Sequence, residues 1–100
     1  MEISYQFLPY TKEDAYNLVD NFLDKLQKEH AGLISNASKE WNESKDKMDF
    51  SFSARRVYIK GDIKINEDNL VLNGDLPFPA NLARGKIERI ILENLDKLFV

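Results

Sequence analysis

The chain has 100 residues, enough for one core and too few for two domains with separate interiors. Its 43% apolar and 31% charged content argues against disorder, and a net charge of −3 with both signs interspersed argues against nucleic acid as a partner. The absence of cysteine removes disulfide frameworks, thiolate zinc sites and thiol nucleophiles together.

Residues 2–8 alternate, with Ile3, Tyr5 and Phe7 on one side and Glu2, Ser4 and Gln6 on the other, which predicts a short strand with one buried face. Pro9 ends it, because proline cannot donate to a ladder. The same opening residues carry Glu2 and no basic-then-apolar run, so no secretory signal is expected. Nor does any stretch approach the ~18 apolar residues of a membrane span. A cytoplasmic protein is the expectation, with contact at an apolar surface left open.

Thr11 followed by Glu13 and Asp14 reads as a helix start, with a hydroxyl for a first-turn amide and acids at the positive end of the dipole. Ala15, Leu18, Val19, Phe22, Leu23 and Leu26 then recur at helical spacing. They predict one amphipathic helix of about five turns, stopped near Gly32, with Lys28 and His30 at its negative end. Residues 33–44 alternate only weakly through Ile34, Ala37, Lys39 and Trp41, and predict a short strand around 39–42 before a solvated turn at 43–47.

Met48, Phe50, Phe52 and Ala54 alternate against Asp49, Ser51 and Ser53, as a strand half-buried in a sheet requires. Arg55 and Arg56 connect it to the next strand, residues 57–65, where Val57, Ile59, Gly61, Ile63 and Ile65 form the dry row. Residues 66–69 supply turn chemistry, with Asn66 or Asn69 suited to a left-handed conformation, and return the chain as a hairpin onto Leu70, Leu72 and Leu76. Pro77, Phe78 and Pro79 stop that strand. The final helix has an inner stripe of Ala83, Ile87, Ile90, Ile91, Leu95 and Leu98, with Gly85, Leu92 and Phe99 sharing one flank.

A one-sided sheet and two amphipathic helices can bury their apolar faces together only as two layers. The expected fold is therefore a single α+β domain over residues 1–100. It is a two-layer sandwich in which an antiparallel sheet of four to five strands carries both helices on one face, in β-α-β-β-β-β-α order.

Few residues are candidates for chemistry. His30 is the sole histidine and has no convergent partner, so no metal site, cofactor site or catalytic residue is expected, and the protein is read as a non-enzyme. Acidic pairs such as Glu40 with Glu43, or Asp62 with Asp75, lie on wet faces among lysines and read as solvated charge. Arg55 and Arg56 form a candidate anion contact, since guanidinium forks suit carboxylates and phosphates. Gly61 and Gly74 interrupt the inward rows of their strands. They either make room for a bulky neighbour such as Trp41 or a helix, or open a small apolar cavity. Gly85, Leu92 and Phe99, if exposed, form an apolar strip for a second copy, a partner helix or a hydrophobic surface.

The ordered motif of residues 55–65, with Leu70-Val71-Leu72, Leu76-Pro77-Phe78, Gly85-Lys86-Ile87-Glu88-Arg89-Ile90-Ile91 and Asn94-Leu95-Asp96-Lys97-Leu98, resembles the small polyhydroxyalkanoate system protein family. Nearly the whole chain shares the likeness, and the part after Phe50 is the most specific. The longer polar middle at 36–47, and Pro77 and Pro79 before the last helix, depart from the usual pattern. What the resemblance implies is association with bacterial polyester storage, at granules or in their regulation, with no catalytic residues to carry over.

The leading expectation is thus a binding module that meets a granule, a protein partner or a second copy of itself through the outer flank of the C-terminal helix. A different class, a binder of a small lipid-like or hydroxyacyl ligand or a weak enzyme, would need a cavity between sheet and helices. A third reading places a protein partner on the open sheet face of Tyr58, Lys60, Asp62 and Lys64.

Overall fold

The computed structural model describes residues 1–77 and 80–99. The strands are β1 (Glu2–Gln6), β2 (Ile34–Trp41), β3 (Lys47–Ala54), β4 (Val57–Ile65) and β5 (Asn69–Asp75); the helices are α1 (Lys12–Asp20), α2 (Phe22–Glu29) and α3 (Arg84–Leu98), with a 3-10 turn at Ala80–Ala83. The strands form one antiparallel sheet in the order β1-β5-β4-β3-β2, so the α+β expectation holds with five strands. β2 to β5 run as a meander, and β1 pairs antiparallel with the β5 edge of it, so the first strand sits beside the last and β2 is the opposite edge. Phe78 and Pro79, part of the expected break before the last helix, lie outside the described residues.

Alternation positions the core. Ile3, Met48, Phe50, Phe52, Ile59, Ile63, Leu70 and Leu72 point to one face and are buried there with Val19, Phe22, Leu23, Leu26, Ile91, Leu95 and Leu98 from the helices. At roughly 1.5–3 kcal/mol for each large side chain removed from water, this shared interior holds sheet and helices together.

Thr11 caps α1 in a full capping box, accepting from the Asp14 amide at 3.1 Å while the Asp14 carboxylate accepts from the Thr11 amide at 3.1 Å. The expected single helix of residues 11–32 is instead two. Asn21 breaks it at φ −95° and ψ 0°, its amide donating to the Leu18 carbonyl at 3.2 Å and its side chain to the Asn17 carbonyl at 3.2 Å. Asparagine competes with the backbone in this way, and the break lets Phe22, Leu23 and Leu26 all turn inward. Gly32 is not the terminator; α2 ends at Glu29 and is capped by His30, whose amide reaches the Leu26 carbonyl at 3.0 Å.

Three further expectations are corrected. The strand placed at 39–42 is longer, Ile34–Trp41, and carries a bulge between Ser35 and Ser38 with Asn36 at φ 54°. Neither Asn66 nor Asn69 is left-handed; Asn66 closes the turn by donating its amide to the Asn69 carbonyl at 2.8 Å and its side chain to Asn69 Oδ1 at 3.1 Å. Besides Asn36, positive φ falls at Lys45, at 58° in the turn before β3, and at Arg55 and Arg56, at φ 49° and 71°, in a two-residue hairpin that needs positive φ at both positions. Ala83 ends the 3-10 turn in solvent rather than joining the inner stripe of α3, and the buried Asn94 takes a place on that stripe.

Candidate functional site

The outer side of α3 is the first candidate. Leu82 is 76% exposed and Leu92 38% exposed, and a Cβ built on Gly85 would meet nothing within 4 Å. Leu82 was missed in the sequence because the 3-10 turn shifts its phase relative to α3. Phe99 does not share this flank. It is half-buried, with its ring 5.5 Å from Tyr5, 5.8 Å from Phe7 and 5.4 Å from Tyr10. Beside it the Tyr5 hydroxyl donates to Asp96 at 2.8 Å, and burial first, then this carboxylate, push the Tyr5 phenol up to about 12. Asn94, absent from the sequence candidates, uses its side chain structurally by donating to the Ile90 carbonyl at 2.8 Å.

Gly61 and Gly74 face each other across β4 and β5. A Cβ on Gly61 would lie 2.0 Å from the Asn73 carbonyl oxygen and 2.9 Å from the Phe50 ring; one on Gly74 would lie 2.7 Å from the Met1 methyl. Phe50, opposite Gly61 on β3, therefore covers the gap that the missing side chain leaves. On the other side of the sheet an open trough of about 690 Å³ passes the same two glycines. Asp49, Asp62 and Asn73 stand in one of its cross-strand rows, Ser51, Lys60 and Asp75 in the next. Asp62 thus faces Asp49 and Asn73 rather than Asp75, and Lys60 and Lys64 flank it along its own strand. Among the described residues no group of His, Asp or Glu side chains is arranged to hold a metal ion.

The apolar space between sheet and helices lies elsewhere, at the seam between α2 and α3. It is a crevice of about 70 Å³ walled by Leu26 and His30, by Phe52 and Ala54 of β3, and by Ile87 and Ile90 of α3. The β3–β4 hairpin turn follows directly on Ala54, so Arg55 and Arg56 stand at this end of the sheet, and the Arg55 amide donates to the Leu33 carbonyl at 3.2 Å. Among the described residues neither arginine side chain has an ion-pair partner. His30 is half-buried in the crevice wall.

A polar cluster that sequence reasoning missed joins α1 to β2. Asp20 accepts from Trp41 Nε1 at 2.9 Å and pairs with Lys39 Nζ at 2.9 Å, while Lys39 also donates to the Asp20 carbonyl. These partners, Lys39 first and Trp41 second, hold the Asp20 carboxyl below its ordinary value. The Trp41 ring lies 4.6 Å from Tyr16. The cluster closes a structural joint between α1 and β2.

Compared with known proteins, residues 9–99 match the model of the family described as "Putative polyhydroxyalkanoic acid system protein" (PHA_gran_rgn). No curated protein and no solved structure matches the chain at a significant level.

Proposed function

The chain belongs to the polyhydroxyalkanoic acid system protein family, and we propose that it serves that system as a non-enzymatic binding module whose contact surface is the outer flank of α3. The observation that carries this reading is the pair of solvent-facing leucines, Leu82 and Leu92, set on either side of Gly85. Each leucine stands to gain up to roughly 1.5–3 kcal/mol when fully covered, so two give a weak, reversible hold on an apolar surface. Such a hold suits a storage polyester or a protein coating it. No helix among the described residues is long and apolar enough to cross a membrane, and the proposed mode is surface contact from the bacterial cytoplasm.

The test is co-sedimentation with polyhydroxybutyrate particles. Wild type should pellet with the particles, and the Leu82→Glu, Leu92→Glu double variant should remain in the supernatant with an unchanged circular dichroism spectrum and melting temperature. Equal pelleting of the two proteins would remove the leucines from the contact. Phe99 is left out of the variant because its packing on Tyr5, Phe7 and Tyr10 would confuse lost binding with lost fold.

A further inference from the structure

The seam between α2 and α3 carries an inference independent of the α3 outer flank. Native interiors are packed to crystal-like density, so an apolar gap is a feature to be accounted for. At about 70 Å³ the crevice is near half the roughly 150 Å³ of an engineered apolar cavity that stays dry and binds benzene. It is too small for a ring and the right size for the end of an aliphatic chain. Its walls, Leu26, Phe52, Ala54, Ile87 and Ile90, offer no hydrogen bond to water, and His30 is the single polar side chain among them.

No arginine or lysine lines the crevice itself, but basic residues adjoin its walls in the chain, and the Arg55 amide donates to the carbonyl of the wall residue Leu33 at 3.2 Å. Arg55 and Arg56 follow the wall residue Ala54 and have no ion-pair partner among the described residues. Lys86 precedes the wall residue Ile87 and lies about three helical turns before Lys97, on the flank that Lys97 turns towards Glu29 of α2. The nearby acids are engaged, Glu29 by Lys97 at 3.4 Å and Glu88 by Arg84 at 3.0 Å. The hairpin also accepts two arginines at positive φ, where Asn-Gly would cost less, so charge is kept at this position against backbone preference.

We propose that this seam is a binding site for an alkyl carboxylate, with the terminal carbons of the chain in the apolar crevice and the carboxylate at the Arg55, Arg56, Lys86 and His30 rim. The apolar end supplies the fit and the cationic rim selects an acid over the matching alcohol.

Titration of octanoate into methyl-labelled full-length protein, followed by NMR, tests the site. Saturable shifts are expected at Ile87, Ile90 and Leu33, which also lines the crevice, whereas acetate, which lacks the chain, should leave them unmoved. Ala54→Leu, which fills the crevice, should weaken octanoate binding about tenfold or more, the loss of roughly two buried methylenes. If that variant does not fold, Ile87→Phe fills the same space from the helix side. Arg55→Asn with Arg56→Gly suits the turn better and should weaken octanoate by about tenfold while leaving octan-1-ol unchanged. The Leu82→Glu, Leu92→Glu variant should bind octanoate as wild type does, which separates this site from the α3 surface. Absence of saturable shifts at the crevice methyls, shifts confined to Leu82 and Leu92, or equal binding of acid and alcohol would each overturn the proposal.

Discussion

Two glycines show how differently the same residue type can be used. Gly61 lies where a Cβ would be 2.0 Å from the Asn73 carbonyl oxygen, a contact that only backbone movement can relieve. Gly61→Ala should therefore destabilise by about 3 kcal/mol, at the upper end for an overpacked site, because both the β4–β5 ladder and the Phe50 ring must shift. Gly85 is the second residue of α3, meets nothing within 4 Å and has no positive φ. Gly85→Ala should then stabilise by about 0.4–1 kcal/mol through a less flexible unfolded chain. Urea unfolding of the two variants beside wild type reads both effects. A neutral Gly61→Ala would mean that the sheet relaxes at Asn73 at little cost, and a destabilising Gly85→Ala would mean that its exposed position is already occupied by another surface.

At the level of elements, the regular strands were legible and the irregular ones were not, for reasons that particular residues supply. Val57–Ile65 keeps one alternating phase from end to end, so its bounds are plain in the sequence. In Ile34–Trp41 the inward residues change from the even position Ile34 to the odd positions Ala37, Lys39 and Trp41 across the bulge at Asn36, which is why alternation there looked weak. The helical stripe running through Leu26 hid the break at Asn21, because both helices bury the same side of the chain. Lys39 belongs to the row of Ala37 and Trp41, but its partner Asp20 lies 19 residues earlier and leaves no local signal, and the pair sits half-exposed at the edge of the sheet. The crevice likewise arises from the meeting of three elements and leaves no local motif. The Asp20 joint has a measurable signature. Its carboxyl is held below the ordinary value, so its contribution to stability is fully present above the usual carboxylate range and is lost as pH falls through the lower folded-state value. Asp20→Asn should lower stability at neutral pH by about 0.2–1 kcal/mol, as expected for a half-exposed pair, and should flatten the loss of stability as pH falls through and below the usual carboxylate range. Urea midpoints across that range that run parallel for wild type and variant would show that the pair does not hold α1 to β2.

For the molecule as a whole, the last helix is fastened at one end and open along its outer side. At the C-terminal end, Phe99 packs on Tyr5, Phe7 and Tyr10, and Tyr5 donates to Asp96, so α3 is locked to β1 and to the chain that follows it. Towards its N-terminal end, Ile87 and Ile90 are only half-buried and border the crevice, with Leu82 in solvent beyond them. The helix is thus closed over the core at its C-terminal end and looser towards its start. Tyr5 reports on the locked end. Its phenol is pushed up to about 12, so the neutral form is favoured in the fold; the associated stability is complete below about pH 10 and is lost as pH rises towards 12. Phe99→Ala should destabilise by about 2–3 kcal/mol, less than the loss of a fully buried ring, and should bring the Tyr5 ionisation down towards 10 by admitting water. Asp96→Asn should lower it by a smaller amount, because burial is the larger cause and remains in place. NMR titration of the Tyr5 ring in the three proteins distinguishes these outcomes. If Asp96→Asn alone restored an ordinary value, the carboxylate and not the Phe99 packing would be what sets the environment of Tyr5, and the C-terminal end of α3 would be as open to water as its outer flank.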